Sequence, residues 1–218
     1  MVRSLFVALV LVGLLGGVGA AGAAKPKNTD YIEVYYPGWV DPYLTVSIEG
    51  GASVAPETLA AVQDAIAIWS ETLLSEFGGA ITLTNVTGDP AAEAQADIKV
   101  SLTQSRAGGV LFGAFALCQP NKGCTILQSS VLHPIPQPPP GKPGPYPYEI
   151  SLSTAMHELG HALGLGHAQP IETSTDLMGY GAWSTTISRC DLAALAVVWE
   201  WALAGEAPTP PDVTEVYC

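Results

Sequence analysis

His157-Glu158-Leu159-Gly160-His161-Ala162-Leu163-Gly164-Leu165-Gly166-His167 is the stretch from which the rest of the chain is best read. In a helix, residues four apart share a face, so His157 and His161 project together. Two imidazoles at that spacing suit one tetrahedral Zn2+ through nitrogen. Glu158, one residue on, reaches water on the metal without being a ligand. Gly164 permits a sharp turn with positive φ that ends the helix. The turn swings His167 back to the same ion. Three protein ligands leave a fourth position for water, which marks a catalytic rather than a structural zinc. The chain has only 4 His, so three at these offsets are poorly explained by chance or by ordinary core packing. A purely structural zinc module would account for the imidazoles but not for Glu158.

Downstream, Thr175-Asp176-Leu177-Met178-Gly179-Tyr180 is a short turn with a methionine. Upstream, Leu44 to Ile48 alternates as a strand, and Tyr31 to Tyr36 is extended within an otherwise irregular segment 24–43. Pro56 begins an amphipathic helix of about five turns, with Leu59, Val62, Ile66, Trp69, Leu73 and Phe77 at helical spacing, closed by Gly78-Gly79. Strands are predicted over 81–87, 96–102, 110–116 and 125–132. Residues 134–147 hold eight prolines and two glycines, which excludes helix and central strand. This is read as an extended loop inside one domain. A second long helix runs from about 149 to 163, 164–189 is irregular, and a third helix covers 191–203. The element order gives one α+β domain.

The histidine spacing together with the Met-containing turn resembles the metzincin metallopeptidases. Within that clan the chain looks most like the matrixins, over about residues 44–201. The supporting matches are Leu44–Ile48, the helix ending Trp69-Ser70, Ala96-Asp97-Ile98, the stretch from Gly108 to Phe115, and Ser188-Arg189-Cys190-Asp191-Leu192. The resemblance implies a twisted, mostly parallel sheet of about five strands with an antiparallel edge strand and three helices. It implies one catalytic zinc on His157, His161 and His167, Glu158 as general base, and Met178 as an apolar floor beneath the ligands. The implied reaction is hydrolysis of a peptide or protein substrate lying extended along the edge strand. Tyr180 is a fifth ligand, a hydrogen-bond donor to the oxyanion, or a wall of the pocket. Asp191 matches a family aspartate able to pair with a mature N-terminus; the simpler role is a charge in the first turn of a helix. Gly113 stands where animal matrixins place a structural-zinc histidine, and no cysteine-bearing propeptide is expected. Structural calcium is common in the family, but no clear acidic cluster supports it here.

Composition bounds the rest. Hydrophobic residues make up 48% of the 218, enough for one core, and the net charge is -12 with 8 Lys+Arg. Such a chain repels phosphates, which argues against nucleic acid as a partner. Mean hydropathy is +0.30, partly because Arg3 precedes an uncharged run from Leu5 to Val18 that ends in small residues. That order is expected to be a signal peptide, residues 1–23, with a retained membrane anchor as the alternative. No later stretch is apolar enough to span a bilayer. The expected organisation is therefore a leader, an N-terminal segment 24–43 and a catalytic domain 44–218, exported and monomeric.

Export permits disulfides. Cys118 and Cys124 flank a turn-rich stretch and are expected to pair, leaving Cys190 with Cys218. A helix over 190–204 would be roughly 22 Å long, and the remaining tail, roughly 45 Å when extended, reaches back to its start. Asn85-Val86-Thr87 is a glycosylation sequon. Three readings follow: a secreted zinc endopeptidase, a catalytically idle zinc-binding module for adhesion or inhibition, and a zinc hydrolase of non-peptide amides.

Overall fold

Alternating apolar residues and one long amphipathic helix build the larger part of the molecule. The computed structural model describes residues 30–50, 54–104, 114–119, 123–130, 147–180 and 184–218. Strand β1 is Tyr31–Val34, β2 is Tyr43–Gly50, β3 is Thr82–Asn85, β4 is Ile98–Gln104, β5 is Ala114–Gln119 and β6 is Gly123–Ser130. Five of these form one sheet in the order β3-β2-β4-β6-β5. The β2–β3, β2–β4 and β4–β6 pairings are parallel, and only the edge strand β5 runs antiparallel, against β6. Leu44, Val46 and Ile48 of β2 and Ile98, Val100 and Leu102 of β4 are buried at period two, as a strand packed on one face requires.

Helix α1, Pro56–Phe77, has proline in its first turn and ends at Gly78, whose φ of 61 places it in the left-handed region. A short helix α2, Pro90–Glu93, follows β3 and is capped by Asp89. Helix α3, Pro147–Ala162, carries the motif and packs on α1 and on the sheet. Trp69 of α1 is fully buried, and its indole donates to the Met156 carbonyl of α3 at 2.9 Å.

A second sheet corrects one expectation and bears out another, the extended stretch that begins at Tyr31. Residues 164–189 are not wholly irregular, because Leu165–Gln169 forms β7. The segment 24–43 supplies β1, and the tail supplies β8, Glu215–Tyr217. These strands make a three-stranded antiparallel sheet in the order β7-β1-β8. Short strands whose partners lie far away in the chain carry little local pattern, which is why this sheet was not anticipated. The third predicted helix also divides, into α4, Arg189–Val198, and α5, Glu200–Ala204. Both disulfides form, Cys118–Cys124 across the β5–β6 hairpin and Cys190–Cys218 between the start of α4 and the residue after β8. The leader, His133, the stretch from Gly108 to Gly113 and residues 134–146 of the proline-rich loop lie outside the described residues.

Candidate metal centre

His157 and His161 stand one turn apart on α3, with ring centroids 4.7 Å apart. Gly164 has a φ of 102, and the chain reverses there into β7, which brings His167 to 4.8 Å from His161 and 5.4 Å from His157. A side chain at 164 would meet a Val198 methyl at 2.6 Å and the Tyr35 carbonyl at 2.9 Å, so space as well as φ demands glycine. One ligand atom from each imidazole lies within 4.8 Å of the others. Among the described residues no other grouping of three or more His, Cys, Asp or Glu could hold a metal ion.

The donor set suits a borderline metal. His157 Nδ1 donates to the Leu177 carbonyl at 2.9 Å, and His161 Nδ1 to the Leu165 carbonyl at 2.7 Å. Both bonds set the tautomer that leaves Nε2 free as a ligand. Burial lowers all three imidazole pKa values, that of His161 to about 4, so the rings stay neutral at physiological pH. Three neutral imidazoles are a zinc donor set.

Glu158 sits beside this cluster and is buried. Its Oε2 has no hydrogen-bond partner among the described residues, while the Ala116 backbone N–H of the edge strand donates to the carboxylate. Desolvation pushes its pKa up to about 7, against the lowering effect of that hydrogen bond. An unpartnered buried oxygen on a group poised near neutrality is what a proton-transferring carboxylate requires.

The methionine turn lies under the helix. Met178 is fully buried, and a Cβ at Gly160 would come within 2.5 Å of its sulfur. Gly160 was not singled out in the sequence, yet it lets the turn approach between the two helical histidines. Asp191, buried at the start of α4, accepts from the Leu177 N–H at 3.0 Å and the Ser188 N–H at 2.8 Å. It thus completes the cap of α4 and ties down Leu177, the residue whose carbonyl holds His157. Burial raises its pKa despite these bonds. The Tyr180 hydroxyl donates to His167 Nε2 at 3.0 Å, at the exposed mouth of the site. Burial raises the Tyr180 pKa, with the Glu158 charge adding to it. Residues 181–183, expected to continue the pocket wall, lie outside the described residues.

The end of α3 has other partners that sequence reasoning missed. Its last carbonyls are buried and need donors. The Tyr35 hydroxyl donates to the His161 carbonyl, the Trp39 indole to Ala162 at 2.8 Å, and the Trp199 indole to Leu163 at 3.0 Å. Burial, and to a smaller extent the Glu158 charge, raises the Tyr35 pKa well above its ordinary value, so the phenol remains a donor. The available signal was two aromatics just before the first parallel strand. The four cysteines, by contrast, lie outside the imidazole cluster.

No protein-family model matches the sequence, and no curated protein does. Among solved structures, the chain is similar to metalloproteinase-II from Bacteroides fragilis (TM-score 0.44, 14% identity, 78% of this chain and 58% of that one). It is also similar to high choriolytic enzyme 1, a hatching-enzyme zinc-protease from the medaka Oryzias latipes (TM-score 0.33, 15% identity, 58% and 46%). A third likeness is to the GM1-bound form of the ECX AB5 holotoxin (TM-score 0.39, 13% identity, 84% of each chain). The chain spans less than two thirds of the length of the first two proteins. These distant likenesses assign no family.

Proposed function

We propose that the protein is an exported zinc-dependent endopeptidase of metzincin type, with a matrixin-like catalytic unit. The observation that carries this reading is the buried, unpartnered Glu158 Oε2 beside three imidazoles whose ligand atoms lie within 4.8 Å of one another. His157, His161 and His167 would hold the ion. When bound, zinc supplies Lewis acidity, which acidifies water and polarises a carbonyl.

The remaining work falls to side chains and backbone. Glu158 takes a proton from the attacking water and delivers it to the leaving amine. Its Oε2 is available for that proton because no group among the described residues occupies it. The substrate lies extended along β5, the antiparallel edge of the sheet among the described residues, and adds main-chain hydrogen bonds as a further strand. The Ala116 N–H donated to Glu158 couples that strand to the base. Tyr180 donates its hydroxyl hydrogen to the oxyanion once substrate is seated, and Met178 keeps the floor of the site dry. Each of these groups belongs to the same chain, so a monomer suffices.

Export agrees with two disulfides and with the absence, among the described residues, of a helix long and apolar enough to cross a membrane. The leader 1–23 supplies the route. Casein or a peptide library should be cleaved by the zinc-loaded protein, and a chelator should stop the cleavage. Glu158→Gln should retain one equivalent of zinc and lose turnover by roughly 10³-fold or more, several kcal/mol of transition-state stabilisation. Full cleavage by that variant would overturn the assignment, and zinc binding without any cleavage by the native protein would point to an idle binding module.

A further inference from the structure

The chain reversal between the second and third imidazoles is knotted into residues 161–165. The His161 carbonyl accepts the Gly164 N–H at 2.9 Å. The His161 ring turns back on the same segment, its Nδ1 donating to the Leu165 carbonyl at 2.7 Å. This ring is therefore aimed by a peptide four residues further on. That peptide keeps its place only while the reversal keeps its shape. Gly164 alone does not secure the shape, because a residue without a Cβ has the freest backbone of all.

Tyr35 closes the knot from outside. Val34 pairs with Leu165 in the small sheet, so the next residue of the incoming segment stands beside the turn. The Tyr35 N–H donates to the Gly164 carbonyl at 3.0 Å, and its hydroxyl donates to the His161 carbonyl. One residue thus grips both ends of the reversal. The hydroxyl fills the second lone pair of a carbonyl that Gly164 already engages. Tyr35 is also 37% exposed, so its hydroxyl is not there to complete the core. The indoles of Trp39 and Trp199 differ: they donate to Ala162 and Leu163 from buried rings, as an interior N–H must.

We propose that Tyr35 is a positioning residue for His161. By clamping residues 161 and 164 it holds the Leu165 carbonyl where that carbonyl orients the imidazole. The proposal rests on the metal reading above, because it concerns how one ligand is aimed. The role belongs to the segment before residue 44, ahead of the boundary expected for the catalytic unit.

The test uses the full protein and two variants, Tyr35→Phe and Tyr148→Phe. The second is the control, since Tyr148 bonds its hydroxyl to Asp64 at the opposite end of the same helix. Each variant keeps its ring and loses one phenol hydrogen bond, and melting curves without metal check that both are folded. Zinc affinity is measured by competition against a chelating indicator. The visible absorption of the cobalt-substituted protein reports the geometry of the ligands. Tyr35→Phe is expected to weaken zinc binding about tenfold, the low end for groups that orient a ligand, and to alter the cobalt bands. Tyr148→Phe is expected to leave both unchanged. Unchanged affinity in Tyr35→Phe, an unaltered cobalt spectrum in that variant, or an equal loss in Tyr148→Phe would each overturn the proposal. Failure of the native protein to bind zinc at all would instead remove the metal reading itself.

Discussion

Helix α3 and the small sheet assemble the same cluster by opposite means. Helix α3 delivers His157, Glu158 and His161 within five residues, and the 3.6-residue repeat alone puts both imidazoles on one face. Strand β7 delivers only His167, and it is held by β1, which is held in turn by β8. The helix half is local chemistry written in consecutive residues. The sheet half is long-range pairing, stapled by Cys190–Cys218 and packed on α4. The lesson is that reactivity and rigidity in this site come from different parts of the chain.

The largest expected effect comes from breaking the helix half outright. His161→Ala should abolish stoichiometric zinc binding, measured by metal analysis after dialysis, because no other described residue offers a substitute ligand at that position. Cys190→Ser with Cys218→Ser attacks the sheet half instead. Unfolding in denaturant should show a loss of about 3 kcal/mol from the loop constraint, with zinc still bound but more weakly. If the double variant bound zinc as tightly as the native protein, the sheet would not be what holds His167.

Next comes a pH effect confined to the helix half. The folded-state pKa of Glu158 is raised to about 7 from 4.5, so the metal-free fold favours the protonated acid. Its contribution is fully present below the unfolded value and is lost as pH rises through the folded one. Glu158→Gln should therefore stabilise the metal-free protein at pH 8 by about 3 kcal/mol at most, an advantage that vanishes below pH 4.5. Melting curves across pH 4–8 check the sign. The smallest effect joins the halves. Asp191→Asn leaves the Leu177 N–H with a neutral acceptor and should cost about 1 kcal/mol of stability, with a small loss of zinc affinity through His157.

The same contrast explains what the sequence made legible. The imidazole spacing, the turn at Gly164 and the strands around Val46 and Val100 depend on neighbours a few residues away, so their patterns survive in one chain. The disulfide partners followed from loop length and turn composition. Strand β1 has only four residues, and nothing local says that Tyr31 will face Gln169 and Tyr217. The sequence Leu165-Gly166-His167 is glycine-broken and reads as a loop until its partner is known. Helix α4 stops at Trp199, with φ -107 and ψ 20, without a glycine or proline to announce it. The reason is the indole bond to Leu163, a tertiary contact that outweighs local helix preference.

The remote pairing in the small sheet also sets an order of events during folding. Contacts between segments distant in sequence pay their loop-closure entropy before they return any stability, and they form late. Helices α1 and α3 and the parallel strands can collapse while β1 still lacks both of its neighbours. At that stage the chain carries Glu158 and two imidazoles but an unfinished third corner. Completion of the three-imidazole cluster thus waits on the closing of a sheet.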